Sequence, residues 1–161
     1  MIPSDLFDFS LALLQRFDAA GLKLATAESC TGGLIAGCLT AVPGSSTVVE
    51  RGFVTYSNEA KTEMLGVPAD LIRDHGAVSA EVAEAMAQGA LDHSRADVAI
   101  AVTGIAGPGG ATSIKLVGLV FLAVARRGRD VRHERHVFPG DRQAVRLATV
   151  RRALEMLEAV V

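Results

Sequence analysis

Apolar positions recur along the chain at two periods. Near the start, Leu6, Phe9, Leu13 and Phe17 stand 3, 4 and 4 apart, which predicts a helix opening at Pro3–Ser4 and stopping before Gly21. At the far end, Leu147, Val150, Leu154, Leu157 and Val161 repeat at 3, 4, 3 and 4, behind Asp141 as a cap. Short apolar runs lie between these helices. Leu22–Ala27, Thr47–Tyr56 (with a break at Gly52) and Asp97–Val102 read as strands. Val117–Ala125 and Val131–Phe138 read as a hairpin around Arg126-Arg127-Gly128. Helices are expected at Leu34–Val42, closed by Pro43-Gly44, at Asn58–Leu65 before Gly66, and from Ser79 with Val82, Met86 and Ala90 on one face. Strands therefore alternate with helices until the late hairpin. That order predicts a three-layer α/β/α sandwich around a mixed β-sheet, in one domain over residues 1–161.

Composition narrows the picture. With 161 residues, 50% apolar and 21% charged, the chain can bury a core without staples and is not a disordered one. No apolar stretch approaches the roughly 20 residues of a membrane span. No basic-then-apolar leader opens the chain, and Cys30 and Cys38 cannot form a disulfide framework. The expectation is a cytoplasmic protein with reduced thiols and no membrane partner. Net charge is −2, unevenly spread: Arg126–Arg152 holds nine arginines against three acids, a local +6 that leaves −8 elsewhere. With one Tyr and no Trp there is no stacking platform, so the basic end reads as a solvated helix face rather than a nucleic-acid site.

Three segments could carry chemistry. Ala27-Glu28-Ser29-Cys30-Thr31-Gly32-Gly33 forms a strand-to-helix turn, the place where open α/β sheets display reactive side chains. Its backbone N–H groups and the following helix N-terminus could hold a phosphate or an oxyanion, with Thr31 as a helix cap. Ser29 and Cys30 are both possible nucleophiles at this level. Tyr56-Ser57-Asn58-Glu59-Ala60-Lys61 fits neither the Tyr/Lys spacing of short-chain dehydrogenases nor Ser-x-x-Lys. With Asn58 as cap, Lys61 would sit in a first helical turn, where an ammonium is disfavoured. Thr103-Gly104-Ile105-Ala106-Gly107-Pro108-Gly109-Gly110 is neither a Rossmann nor a Walker loop, but its glycines suit an anionic or planar ligand. His75, His93, His133 and His136 each stand alone in a polar context, with no recognisable triad member beside them. No zinc-ligand spacing occurs, so no metal or other cofactor is expected.

Taken in series, these segments resemble the C-terminal domain of the competence/damage-inducible CinA family and the stand-alone nicotinamide-nucleotide amidases built from it. Further matches are Val42-Pro43-Gly44-Ser45-Ser46, Leu65-Gly66-Val67, His75-Gly76-Ala77-Val78-Ser79 and Phe138-Pro139-Gly140-Asp141-Arg142. The resemblance implies hydrolysis of the carboxamide of nicotinamide mononucleotide to nicotinic acid mononucleotide and ammonia. It implies Ser29 as nucleophile, Lys61 as its base and Tyr56 beside them. It also implies a homodimer or higher homo-oligomer. Cys30, Thr31, Gly32, Gly33, Thr103, Gly104, Gly107, Gly109, Gly110 and Arg142 are the expected substrate-binding set, with Gly107–Gly110 or Arg142 taking the phosphate. The N-terminal nucleotide-pyrophosphatase domain of larger CinA proteins is not expected in 161 residues. One stretch departs from the family: Gly-Thr-Pro-Glu-Lys-Pro-Val-Gly is here Ala111-Thr112-Ser113-Ile114-Lys115-Leu116-Val117-Gly118. The competing readings are a non-catalytic nucleotide-binding or regulatory module, and a thiol enzyme using Cys30.

Overall fold

The computed structural model describes residues 2–161. Its order is α1 (Ser4–Ala19), β1 (Leu24–Glu28), α2 (Leu34–Thr40), a 3₁₀ turn at Ser45–Thr47, β2 (Val49–Val54), α3 (Asn58–Leu65), α4 (Ala69–His75), α5 (Ala80–Asp92), β3 (Val98–Gly104), β4 (Leu119–Arg126), β5 (Arg132–Val137) and α6 (Arg142–Glu158). The five strands form one mixed sheet in the order β2-β1-β3-β4-β5. β1 pairs parallel with β2 and β3, whereas β4 and β5 run antiparallel.

The period of two along each strand decides which layer it feeds. Leu24, Val98, Ile100, Val102, Val120, Leu122 and Val124 point to one face and pack with α1, α2 and α6. The alternate positions Ala25, Ala27, Ala99, Ala101, Ala123 and Ala125 form the other face, beneath α3, α4 and α5. An alanine-faced sheet lets α5 lie close against it. The approach of α5 to α3 is tighter still: a Cβ on Gly89 would stand 2.0 Å from the Leu65 carbonyl oxygen. On the outer side, Arg152 joins α6 to β5 through a two-pronged contact with Glu134. That pairing, with His136 adding to it, holds the Glu134 carboxyl down at about 2.

Three local readings change. β2 runs unbroken through Gly52, which pairs with Thr26. The glycine is needed for space, because a Cβ there would meet Thr26 Oγ1 at 2.9 Å and Ala36 Cβ at 3.3 Å. α3 is capped by Ser57, whose hydroxyl accepts from Ala60 N–H, so Asn58 is the first helical residue instead. Thr103 and Gly104 belong to β3, not to the loop behind it. The short helix α4, between Pro68 and Gly76, has too few turns to announce itself by periodicity. Among the described residues no helix is long and apolar enough to cross a membrane.

Candidate active site

The three parallel strands end on the same side of the sheet, where the chain leaves β1 towards β2 on one flank and β3 on the other. In doubly wound sheets this is where ligands bind. Ser29 follows β1 directly, Thr55 and Tyr56 follow β2, and Ile105–Gly110 follow β3. A cavity of about 260 Å³ lies between them. Ser29, Cys30, Tyr56 and Lys61 line one part of it, and Thr103, Gly104, Gly107, Gly109, Gly110 and Arg142 another. Ala77 and Val78 complete the wall; their role had no signal in the sequence beyond the His-Gly-Ala-Val-Ser match.

Lys61 reaches this cavity from the first turn of α3, yet only 1% of its surface is exposed. Its Nζ lies 3.0 Å from Ser29 Oγ, 2.8 Å from the Thr55 carbonyl oxygen and 3.5 Å from that of Tyr56. Carbonyl oxygens can only accept. A neutral amine has two N–H groups for them, which leaves its lone pair for the Ser29 hydroxyl. Burial pushes the Lys61 ammonium below the ordinary lysine range. The one contribution in the other direction is charge on Cys30. Burial holds that thiol up at about 12, so it is uncharged near neutrality and the opposing contribution is absent. The same protonation state leaves Cys30 a poor nucleophile.

Tyr56 is 59% exposed, and its side chain does not join Ser29 to Lys61. Its hydroxyl accepts from Arg142 Nη2 at 2.9 Å. Arg142 Nη1 donates to the Gly107 carbonyl at 2.8 Å. Arg142 therefore ties the glycine loop to Tyr56 rather than pairing with an acid such as Asp141. A second cavity of about 470 Å³ shares Arg142 and includes Arg146.

The turn after Ser29 differs from expectation in an instructive way. The first turn of α2 is not open to a ligand, because the Glu28 carboxylate fills it. Glu28 accepts from Gly33 N–H at 3.2 Å, Ile35 N–H at 3.0 Å and Ala36 N–H at 2.9 Å. The Thr31 hydroxyl also donates to it, at 2.6 Å, so Thr31 is not the cap; Gly33 occupies that position without a side chain. Thr31, Gly32 and Gly33 accordingly lie outside the cavity wall. Glu28 reaches donors five to eight residues ahead, a spacing outside the usual capping box. Glu28→Gln should lower stability by roughly 2–4 kcal/mol, because an amide places an N–H where donors converge and weakens charge-assisted bonds. At this size that is about 4–16 °C in melting temperature, readable by circular dichroism.

The loop over residues 111–118 is held by its lysine. Lys115 Nζ donates to the carbonyls of His75 at 3.0 Å and Val78 at 2.7 Å, clasping the glycine-loop side of the cavity to its Ala77–Val78 wall. Thr103 Oγ1 reinforces that wall through the Ala77 carbonyl at 2.8 Å. The histidines stand away from the cavity, on Glu81, Glu84, Glu134 and the Gly89 carbonyl. Among the described residues, no three of His, Cys, Asp and Glu converge as a metal cage would.

A family model described as the CinA C-terminal domain matches residues 8–161. A CinA-like protein of Akkermansia muciniphila is 59% identical over 133 residues, covering 83% of this chain and 32% of that protein. A putative competence-damage inducible protein of Caldicellulosiruptor bescii is 52% identical over 136 residues, covering 84% and 33%. The chain thus spans about a third of the length of the curated relatives it matches. Among solved structures, the competence/damage inducible protein CihA of Agrobacterium tumefaciens superposes with a TM-score of 0.97 at 52% identity, covering 99% of this chain and 98% of that one. The competence damage-inducible protein A (ComA) of Klebsiella pneumoniae gives 0.92 at 37% identity, covering 96% and 95%.

Proposed function

Because this chain belongs to the CinA C-terminal domain family, we propose that it is a nicotinamide mononucleotide deamidase working through a serine–lysine pair. One observation carries the reading: a fully buried lysine amine 3.0 Å from a serine hydroxyl at the carboxyl ends of the parallel strands. Neutral Lys61 takes the Ser29 proton as Oγ attacks the carboxamide carbon. The tetrahedral oxyanion collapses as Lys61 returns that proton to the departing nitrogen, and ammonia leaves. Water, deprotonated by Lys61, then attacks the acyl-enzyme. Its collapse frees the pyridine carboxylate and restores the Ser29 hydroxyl. The tyrosine is not needed as a relay, since Lys61 contacts Ser29 directly. Arg142, shared by the two cavities and unpaired with any carboxylate among the described residues, suits the nucleotide phosphate beside the reacting ring.

The test is ammonia release from nicotinamide mononucleotide, with the acid product identified by mass spectrometry, run with and without a chelator. Release that survives the chelator is the expected result. No release, with the nucleotide still binding in calorimetry, would return the protein to the non-catalytic module.

A further inference from the structure

Two successive peptide groups connect a cation outside the cavity to the backbone N–H beside the nucleophile. Arg146 Nη2 donates to the Thr31 carbonyl at 2.9 Å, and Arg146 Nε to the Cys30 carbonyl at 3.2 Å. The Thr31 carbonyl shares its peptide plane with Gly32 N–H, which points the opposite way. Gly32 N–H donates to the Ser29 carbonyl at 3.0 Å. That carbonyl in turn shares its plane with Cys30 N–H, again pointing the opposite way. Among the described residues Cys30 N–H donates to no other residue, and Cys30 lines the cavity next to Ser29. Arg146 itself lies outside that lining.

Building on the serine–lysine reading, we propose that Arg146 is a positioning residue that orients and polarises the Ser29–Cys30 peptide, making Cys30 N–H the oxyanion donor. Each hydrogen bond in such a chain strengthens the next, and a guanidinium at its far end makes the terminal N–H more acidic and better aimed. The second contact, on the Cys30 carbonyl, stops the intervening peptide from turning. The arrangement needs a planar fork, which is why arginine stands here. The α2 N-terminus cannot do this work, since Glu28 already takes its N–H groups.

The experiment compares wild type, Arg146→Met and Arg146→Lys by steady-state kinetics on nicotinamide mononucleotide and by ¹H–¹⁵N spectra. Removing the anchor of an oxyanion donor should lower kcat about 10²-fold with KM within about threefold. Arg146→Lys, holding one carbonyl well, should lose about tenfold, and it carries the test if Arg146→Met does not fold. The Gly32 and Cys30 amide protons should both move upfield in the variants. A raised KM with kcat retained would make Arg146 a phosphate holder and overturn the proposal. So would an unchanged Cys30 amide signal. If wild type releases no ammonia, the deamidase reading falls, and the amide signals still decide the role of Arg146.

Discussion

Ser29→Ala is expected to lose deamidation by on the order of 10⁴-fold or more, in the range seen when a covalent nucleophile is deleted. The protein should remain folded, because Ser29 is a small side chain at the cavity wall whose backbone N–H, bonded to the Val102 carbonyl, is untouched. The neighbouring thiol supplies the control. Cys30→Ala should retain most of the rate, since burial holds that thiol protonated up to about pH 12. Thiol-alkylating reagents should likewise leave turnover intact. Coupled ammonia assays on the two variants separate the possibilities. Near-normal turnover in Ser29→Ala would remove the serine from its role. Loss in Cys30→Ala with Ser29→Ala active would transfer the role to the thiol.

What the sequence reveals here follows the range of each interaction. The strand faces are legible because alternation is local: Leu24, Val98 and Ile100 on one side, Ala25, Ala99 and Ala101 on the other. The capping of the last helix by Asp141 is legible for the same reason, since its carboxylate accepts from the Ala144 N–H only three residues away. The meeting of Ser29 with Lys61 is not local. It depends on β1 and β2 ending side by side, and only the family resemblance names the pair. Arg146, 115 and 116 residues from the carbonyls it holds, gives no sequence signal at all among nine arginines of that region. Glu28 stands in plain view within the nucleophile motif. Its role is hidden because a carboxylate capping a helix from the preceding strand follows no short-range pattern. Tyr56 shows the limit of a motif: adjacency in sequence suggests contact with the pair, while its hydroxyl meets Arg142 at another part of the same cavity wall.

Lys61→Met and Lys61→Arg should each lower kcat by about 10²–10⁴-fold, the usual contribution of a positioned base. The two substitutions fail for different reasons, and that difference is the strength of the test. Methionine fills a similar volume in the buried channel but has no basic nitrogen. It leaves the Thr55 and Tyr56 carbonyls without their donor, a cost of about 1–3 kcal/mol that is offset in part because no amine is desolvated. Arginine keeps donors for those carbonyls but cannot give up its proton in this range. Wild-type turnover should also carry an acid limb. The ammonium form of Lys61 has no lone pair for Ser29, so activity rises with pH as that proton leaves. Burial lowers the lysine from its ordinary value, so the limb falls below the roughly 10.4 of a free lysine. Salt should shift it little, because the amine is screened from solvent by its own burial. In Lys61→Met the limb should vanish along with most of the rate. A folded Lys61→Met enzyme with near-normal kcat, or one that keeps the same acid limb, would show that the titrating base lies elsewhere and that the 3.0 Å contact with Ser29 is structural.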